Sequence, residues 1–335
     1  MIASPRQSIY PSSAAPSALG PDPVPGGWAT RIVSSSLVQL RHPARSLPST
    51  LSYSRSPHSG PIPSPYKGNG IEYAESRPYL AGDEVRHIDW RITARTGKPH
   101  TKLFHEERER TSLLWIDLRS SLFFASRGSF KAVIAARAAS LLAWHAVAIG
   151  HRLGAVICNE QGDQELPPQR HERSVLRLIG LLSHIIPGNT PSAENPLPLL
   201  EDSLLRLRRL SKPGSRLSLV SDWHPLSEQM LLQLRHLARH NELLLIQISD
   251  PLQYTLPPPG HYPIRDGQHS FMLESTGKAQ QERYAEAFYS RLQHLQQFCH
   301  NHRIGFVHCS TSEDVLAKLF ALFAPSLHSL AQRYG

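Results

Sequence analysis

The chain has 335 residues, 40% of them hydrophobic, which is material for about two domains and a sizeable core. Lys and Arg number 36 against 27 Asp and Glu, and the resulting formal charge of +9 favours acidic partners but is spread too thinly to mark a nucleic-acid binder by itself. Cys158, Cys299 and Cys309 lie too far apart for a CxxC metal or redox motif and are too few for a disulfide scaffold, so a reducing compartment, the cytoplasm, is expected.

Residues 1–65 hold 12 of the 28 prolines and 15 serines, with Asp22 as their single acid. Such a segment buries too little apolar surface to offset its ordering entropy and reads as a largely disordered tail. Met1 to Gly20 combines neither a charged start with a long apolar run nor helical amphipathicity, so a targeting segment is not expected. Within the tail, Ile32, Val33, Leu37, Val38, Leu40 and Leu47 interleave with Arg41 and Arg45 at a loose helical spacing. This predicts a short helix over 32–47 docked on the body.

Residues 66–110 read as a small β segment. Ile88, Trp90, Ile92 and Ala94 alternate with Asp89, Arg91, Thr93 and Arg95, the period of a half-buried strand, and after a turn at Gly97-Lys98-Pro99 the chain is expected to return as a strand over Thr101 to Glu107. From residue 111 to 325, apolar runs of strand length alternate with helical segments. The runs are Leu113 to Ile116, Leu153 to Ile157, Leu217 to Val220, Leu243 to Ile248 and Ile304 to Val307. Helices are predicted over Ser129 to Ile149, Glu172 to Ile186, Pro196 to Leu210, Ser227 to His240, Ala279 to His302 and Ser312 to Phe323. The alternation argues for an α/β fold, a doubly wound, mostly parallel sheet covered on both faces, with residues 326–335 as a tail. The longest apolar region, Ala132 to Ile149, carries Arg137, Ser140 and His145, so membrane insertion is not expected.

In a doubly wound sheet, ligands gather outside the carboxyl ends of the strands. Asp117-Leu118-Arg119-Ser120-Ser121 follows the first run and Ser221-Asp222-Trp223 the third. Carboxylates and hydroxyls so placed are hard oxygen ligands of the kind Mg2+ or Mn2+ takes. The ordinary alternative is that Asp117 and Ser120 cap the approach to the next helix, and Asp222 the helix after Leu226.

The string RPYLAGDEVRHIDWRITARTGKPHTKLFHEERER, followed by a strand ending in Asp117, resembles the bacterial domain of unknown function 58 family, whose body is similar to a von Willebrand factor A domain. The resemblance is strongest from Gly68 to Val156 and weaker through LSLVSDW to the end. It implies a central sheet flanked by helices and a metal-ion-dependent adhesion site made of a D-x-S-x-S loop, a threonine and a further aspartate. Asp117 matches the first aspartate, Ser121 the last serine, Thr190 the threonine and Asp222 the later aspartate. Arg119 replaces the middle serine. A guanidinium offers only donors and a permanent positive charge, so it repels a divalent ion and can bridge the carboxylates instead; alternatively it points to solvent and the ion binds through the remaining ligands.

The resemblance further implies a non-enzymatic interaction module that works with a MoxR-type AAA+ ATPase on an unspecified client protein. On that reading Arg119 pairs with a partner's carboxylate, and the block from Arg77 to Arg95, with Arg77, Asp83, Arg86, Asp89, Trp90 and Arg95, either locks the β segment to the body or forms a partner surface. Arg86 and Asp89 are expected to pair, and the row otherwise reads as a solvated face. A divalent-metal enzyme using Asp117 and Asp222 is the alternative. The 19 histidines form no H-E-x-x-H, and phosphate-loop, dinucleotide and G-x-S-x-G motifs are missing from the sequence. Arg206, Arg208, Arg209, Lys212 and Arg216 carry no interleaved aromatic residue for base stacking, so nucleic acid is an unlikely partner.

Overall fold

Apolar runs buried on both faces need helices on both sides, and the chain supplies them in sequence order. The computed structural model describes residues 30–48, 67–68, 72–80, 83–105, 110–185, 196–265, 270–275 and 277–323. Helices α1 (Ser34–Gln39) and α2 (Arg41–Ala44) come first. Strands β1 (Lys67–Gly68) and β2 (Glu72–Pro78), helix α3 (Trp90–Thr96) and strand β3 (His100–His105) follow. The main body starts with β4 (Thr111–Asp117), α4 (Lys131–Ala148), β5 (Arg152–Cys158), β6 (Gln164–Gln169), α5 (Glu172–His184) and α6 (Leu197–Leu210). It continues with β7 (Arg216–Ser221), α7 (Glu228–His240), β8 (Glu242–Ser249), the hairpin β9 (Gly260–Arg265) and β10 (Ser270–Ser275), α8 (Lys278–Asn301), β11 (Gly305–Ser310) and α9 (Val315–Phe323).

The central sheet has six strands in the order β11-β8-β7-β4-β5-β6, parallel throughout except for the antiparallel edge strand β6. The predicted α/β class is the observed one. Alternation along β4 divides the core into two layers. Leu114 and Ile116 join α1, α2, α4, α5 and α9 on one face, while Leu113 and Trp115 join α6, α7 and α8 on the other. All five apolar runs are strands. Strand β6 escapes the pattern because it contains Pro167 and Pro168, residues tolerated only where a ladder position is vacant, at a sheet edge.

Helix α4 is buried from Lys131 to Ala146. By length and composition it could cross a membrane, and here that apolar surface packs inside the protein. Part of its cover is the segment expected to dock. Ile32, Leu37, Leu40, Ala44 and Leu47 are buried, and Trp144 donates its indole N–H to the Leu37 carbonyl at 3.1 Å. His145 Nδ1 lies 3.3 Å from the Ala44 carbonyl, and burial lowers the pKa of this imidazole to about 4. An Arg41–Glu172 ion pair ties the same segment to α5. The remaining residues of the expected tails, 1–29, 49–65 and 326–335, lie outside the described residues.

One element is corrected. The alternating stretch expected as a strand over Ile88 to Arg95 is helix α3. Asp89 caps it, accepting from the N–H groups of Arg91 and Ile92 at 3.2 Å each, and Gly97 ends it with φ +70° in the left-handed region. Local capping outweighs the period-two pattern. The expected returning strand is β3, and it pairs antiparallel with β2 rather than with the α3 stretch, in the order β1-β3-β2.

Leu37→Ala should destabilise the whole protein by roughly 2–5 kcal/mol, the range for emptying a buried leucine site. Chemical denaturation checks this, and a loss under about 0.5 kcal/mol would mean that the segment is not part of the cooperative core.

Candidate functional site

Strands β4 and β7 are neighbours with Ile116 opposite Val220, so their carboxyl ends deliver Asp117 and Asp222 to one place. Both are buried, at 0% and 6% exposure. Two like charges so placed require a counter-charge. Arg119 supplies the first. The chain leaves β4 extended at this residue, and the side chain folds back so that Nε donates to Asp117 Oδ1 at 2.9 Å and Nη2 to Oδ2 at 2.7 Å. Nη2 also reaches Asp222 Oδ1 and the His224 carbonyl, each at 3.3 Å. The second counter-charge is Lys131, whose Nζ donates to Asp222 Oδ2 at 2.7 Å.

Arg119 and Lys131 are each only 3% exposed. Desolvation lowers the Arg119 pKa, but the Asp117 charge and hydrogen bonds and the Asp222 charge outweigh it, and the net shift is upward. Desolvation raises the Asp222 pKa, but Lys131 and then Arg119 prevail and hold it below the usual carboxylate range. Ser221 Oγ donates to Asp117 Oδ2 at 2.7 Å and accepts from the Trp223 N–H at 3.0 Å. Trp223 has φ +51°, a conformation that costs a non-glycine residue on the order of 1 kcal/mol. It is fixed by that bond, by its indole N–H to the Ile246 carbonyl, and by stacking on Trp115 at 5.8 Å. This kink turns the chain so that the His224 N–H also meets Asp222 Oδ1, at 3.2 Å.

The remaining predicted site residues separate. Ser121 is exposed and outside this network, and Thr190 lies outside the described residues. Ser120 donates from both N and Oγ to Glu160 Oε1, at 2.7 Å each. The capping alternative for Asp222 gives way to its ion pairs, and Ser227 caps α7 instead. Sequence reasoning missed Lys131, although a signal existed. A lysine opening the first turn of an apolar helix opposes the helix dipole and therefore calls for a buried acid.

A divalent ion implied by the fold type does not fit these residues. Two cationic donors already point at the two carboxylates, and among the described residues no group of three or more His, Cys, Asp or Glu side chains could hold a metal.

In the upstream block one expected pairing is corrected. Arg77 forms a two-pronged pair with Asp83 at 2.7 and 2.8 Å, and Asp83 also accepts from the Leu80 N–H. Arg77 and the Leu80 N–H hold the Asp83 carboxyl below its ordinary range. The expected Arg86–Asp89 pair is replaced by the helix cap, because Asp89 is buried under α3 and accepts from Ser76 Oγ at 2.9 Å and from the Ile92 N–H. The Ile92 N–H and Ser76 lower the Asp89 pKa. Arg86, Trp90 and Arg95 are exposed. Arg119, by contrast, is too deeply buried to meet a partner directly, which corrects the expectation that it does. The basic row on α6 is dispersed: Arg206 pairs with Asp163 and Glu165, Arg208 bonds Gln233, and Arg216 is buried beside Glu242.

A nearly parallel sheet between two helical layers, with neutralised carboxylates at its strand ends, defines an α/β protein of von Willebrand factor A type. The chain belongs to the family described as Protein of unknown function DUF58, which it matches over residues 75–294. It is 31% identical over 221 residues to the uncharacterized proteins Rv1480 of Mycobacterium tuberculosis (strain H37Rv) and Mb1516 of Mycobacterium bovis. Each match covers 65% of this chain and 66% of the relative, so the chain spans slightly less than two thirds of those relatives. Among solved structures, the conserved hypothetical protein BatB from Bacteroides thetaiotaomicron aligns over 67% of this chain and 99% of its own, with 11% identity and a TM-score of 0.40. An aerotolerance-related membrane protein from Bacteroides fragilis aligns over 64% and 98%, with 11% identity and a TM-score of 0.41.

Lys131→Met should cost about 3–5 kcal/mol at neutral pH, because it leaves a buried carboxylate short of a counter-charge. In the wild type, Asp222 contributes stability above the unfolded-state carboxylate pKa near 4, and that contribution is lost as pH falls through its lower folded value. In the variant the penalty belongs to the ionised form, so the gap between the two proteins should narrow toward pH 4. Denaturation at both pH values checks it; a gap independent of pH would assign the loss to packing.

Proposed function

We propose that this chain is a non-enzymatic protein-interaction module that works with a MoxR-type AAA+ ATPase in the assembly or remodelling of other protein complexes. The end of its sheet, in this reading, is a degenerate metal-ion-dependent adhesion site. The observation that carries the reading is the closed set of charges there: Asp117 and Asp222 are neutralised by Arg119 and Lys131. A metal-bearing site of this type lends its ion to a partner's carboxylate. Here two internal cations satisfy the carboxylates, so partner recognition falls to the surface around the site and to the exposed residues of the upstream block.

A hydrolytic alternative needs a nucleophile or base beside the carboxylates. Ser120 is bonded to Glu160 and Ser221 to Asp117, while burial pushes the Cys158 thiol far above its ordinary pKa and keeps it protonated. The family resemblance supplies the ATPase partner. The cytoplasm is the compartment proposed, supported by three free, buried cysteines.

The test is reconstitution with a MoxR-type ATPase from the same genome, in nucleotide-free and nucleotide-bound states. A saturable complex of fixed stoichiometry is expected. In the nucleotide-free state its Kd should change less than about threefold between EDTA and Mg2+, under about 0.7 kcal/mol. Absence of a complex in both nucleotide states would overturn the partner. Calorimetric binding of Mg2+ or Mn2+ tighter than roughly 100 μM, abolished by Asp117→Ala, would restore the metal-dependent alternative.

A further inference from the structure

The unit between β2 and β3 is held by many hydrogen bonds, yet Leu80, Val85 and Trp90 stay outside. Tyr79 N–H donates to the Pro99 carbonyl, Asp89 N–H to the His100 carbonyl, and His100 N–H to Thr93 Oγ1. These bonds, with the Asp89 cap and the Arg77–Asp83 pair, hold Tyr79, Asp83 and α3 in place. On this unit Leu80 is 60% exposed, Val85 62% and Trp90 69%. Exposed apolar side chains on a well-bonded unit are the kind of surface at which a partner docks.

The charges of the same unit are sorted. Its two aspartates are spent internally, Asp83 on Arg77 and Asp89 on the helix cap and Ser76. Glu84 faces His87 at 3.9 Å. Arg86, Arg91, Arg95 and Lys98 are exposed and have no ion-pair partner among the described residues. Among the described residues, then, this unit exposes a tryptophan, two aliphatic side chains and four cations without an ion-pair partner. Trp and Arg are the residues that most often dominate binding energy when a partner covers them.

Resting on the reading of the chain as an interaction module, we propose that this surface docks a protein segment in which carboxylates flank an apolar anchor. Charge complementarity selects the carboxylates. The anchor covers Trp90 with Leu80 and Val85. A single-stranded nucleic acid would meet the same cations, but Leu80 and Val85 offer no face for a base to stack on and Trp90 is one platform where such proteins use several.

The probes are a fluorescent peptide alternating Glu with Leu, the same peptide with Leu replaced by Ser, and a labelled single-stranded oligonucleotide, each titrated into the full chain. The Glu/Leu peptide should bind at least about tenfold more tightly than the other two. Trp90→Ala should weaken it at least about tenfold, and so should the double variant Arg91→Glu/Arg95→Glu, with a flatter salt dependence. All three altered residues are exposed, so both variants should keep the wild-type melting temperature. Unaltered peptide affinity in both surface variants, or tighter binding of the oligonucleotide, would overturn the proposal. The two readings fail separately. An ATPase complex insensitive to both variants removes this surface but keeps the partner, whereas Trp90-dependent peptide binding without any ATPase complex keeps the surface and removes the partner.

Discussion

Two aspartates at the ends of adjacent parallel strands, both shut away from water, must be neutralised for the sheet to exist. Everything at that edge follows from this demand. The guanidinium of Arg119 satisfies both oxygens of Asp117 and reaches Asp222, and the ammonium of Lys131 completes Asp222. An ion would answer the same need with an open coordination position to offer a partner. Side-chain cations answer it with fixed hydrogen bonds and no position to share. Arg119 and Lys131 thus clamp β4, β7 and the first turn of α4 together.

That clamp also explains local features which are unfavourable in isolation. A lysine at the start of a helix opposes the dipole, and a tryptophan with positive φ resists its own backbone. Both are held at the end of β7, through Asp222 for Lys131 and through Ser221 for Trp223. Strain collects where strands end and charges meet, and the surrounding hydrogen bonds hold it there.

The upstream unit solves a similar problem with the opposite outcome for its surface. Its two aspartates are consumed in a cap and a pair, as at the strand edge, but Arg86, Arg91, Arg95 and Trp90 remain outside. The protein therefore carries one charged cluster that is closed and one basic, apolar face that is open. The second is available to another molecule without breaking buried bonds, and the first is not.

The sequence by itself determined the layers. Apolar runs of strand length and helical periodicities are local properties, so β4, β5, β7, β8, β11 and the helices around them were legible, as was the docking of Leu37 and Leu40. Trp90 to Thr96 form a helix because a local cap, the side chain of Asp89, captures two backbone N–H groups and outweighs the alternation. The tertiary structure decided two things that no local pattern encodes. It added β6 despite two prolines, because an edge leaves ladder positions vacant. It assembled the charge cluster, in which Lys131 and Arg119 meet Asp222 across 91 and 103 residues of chain. Pairing of buried charges depends on which strand ends lie side by side, and that adjacency exists only once the sheet has closed.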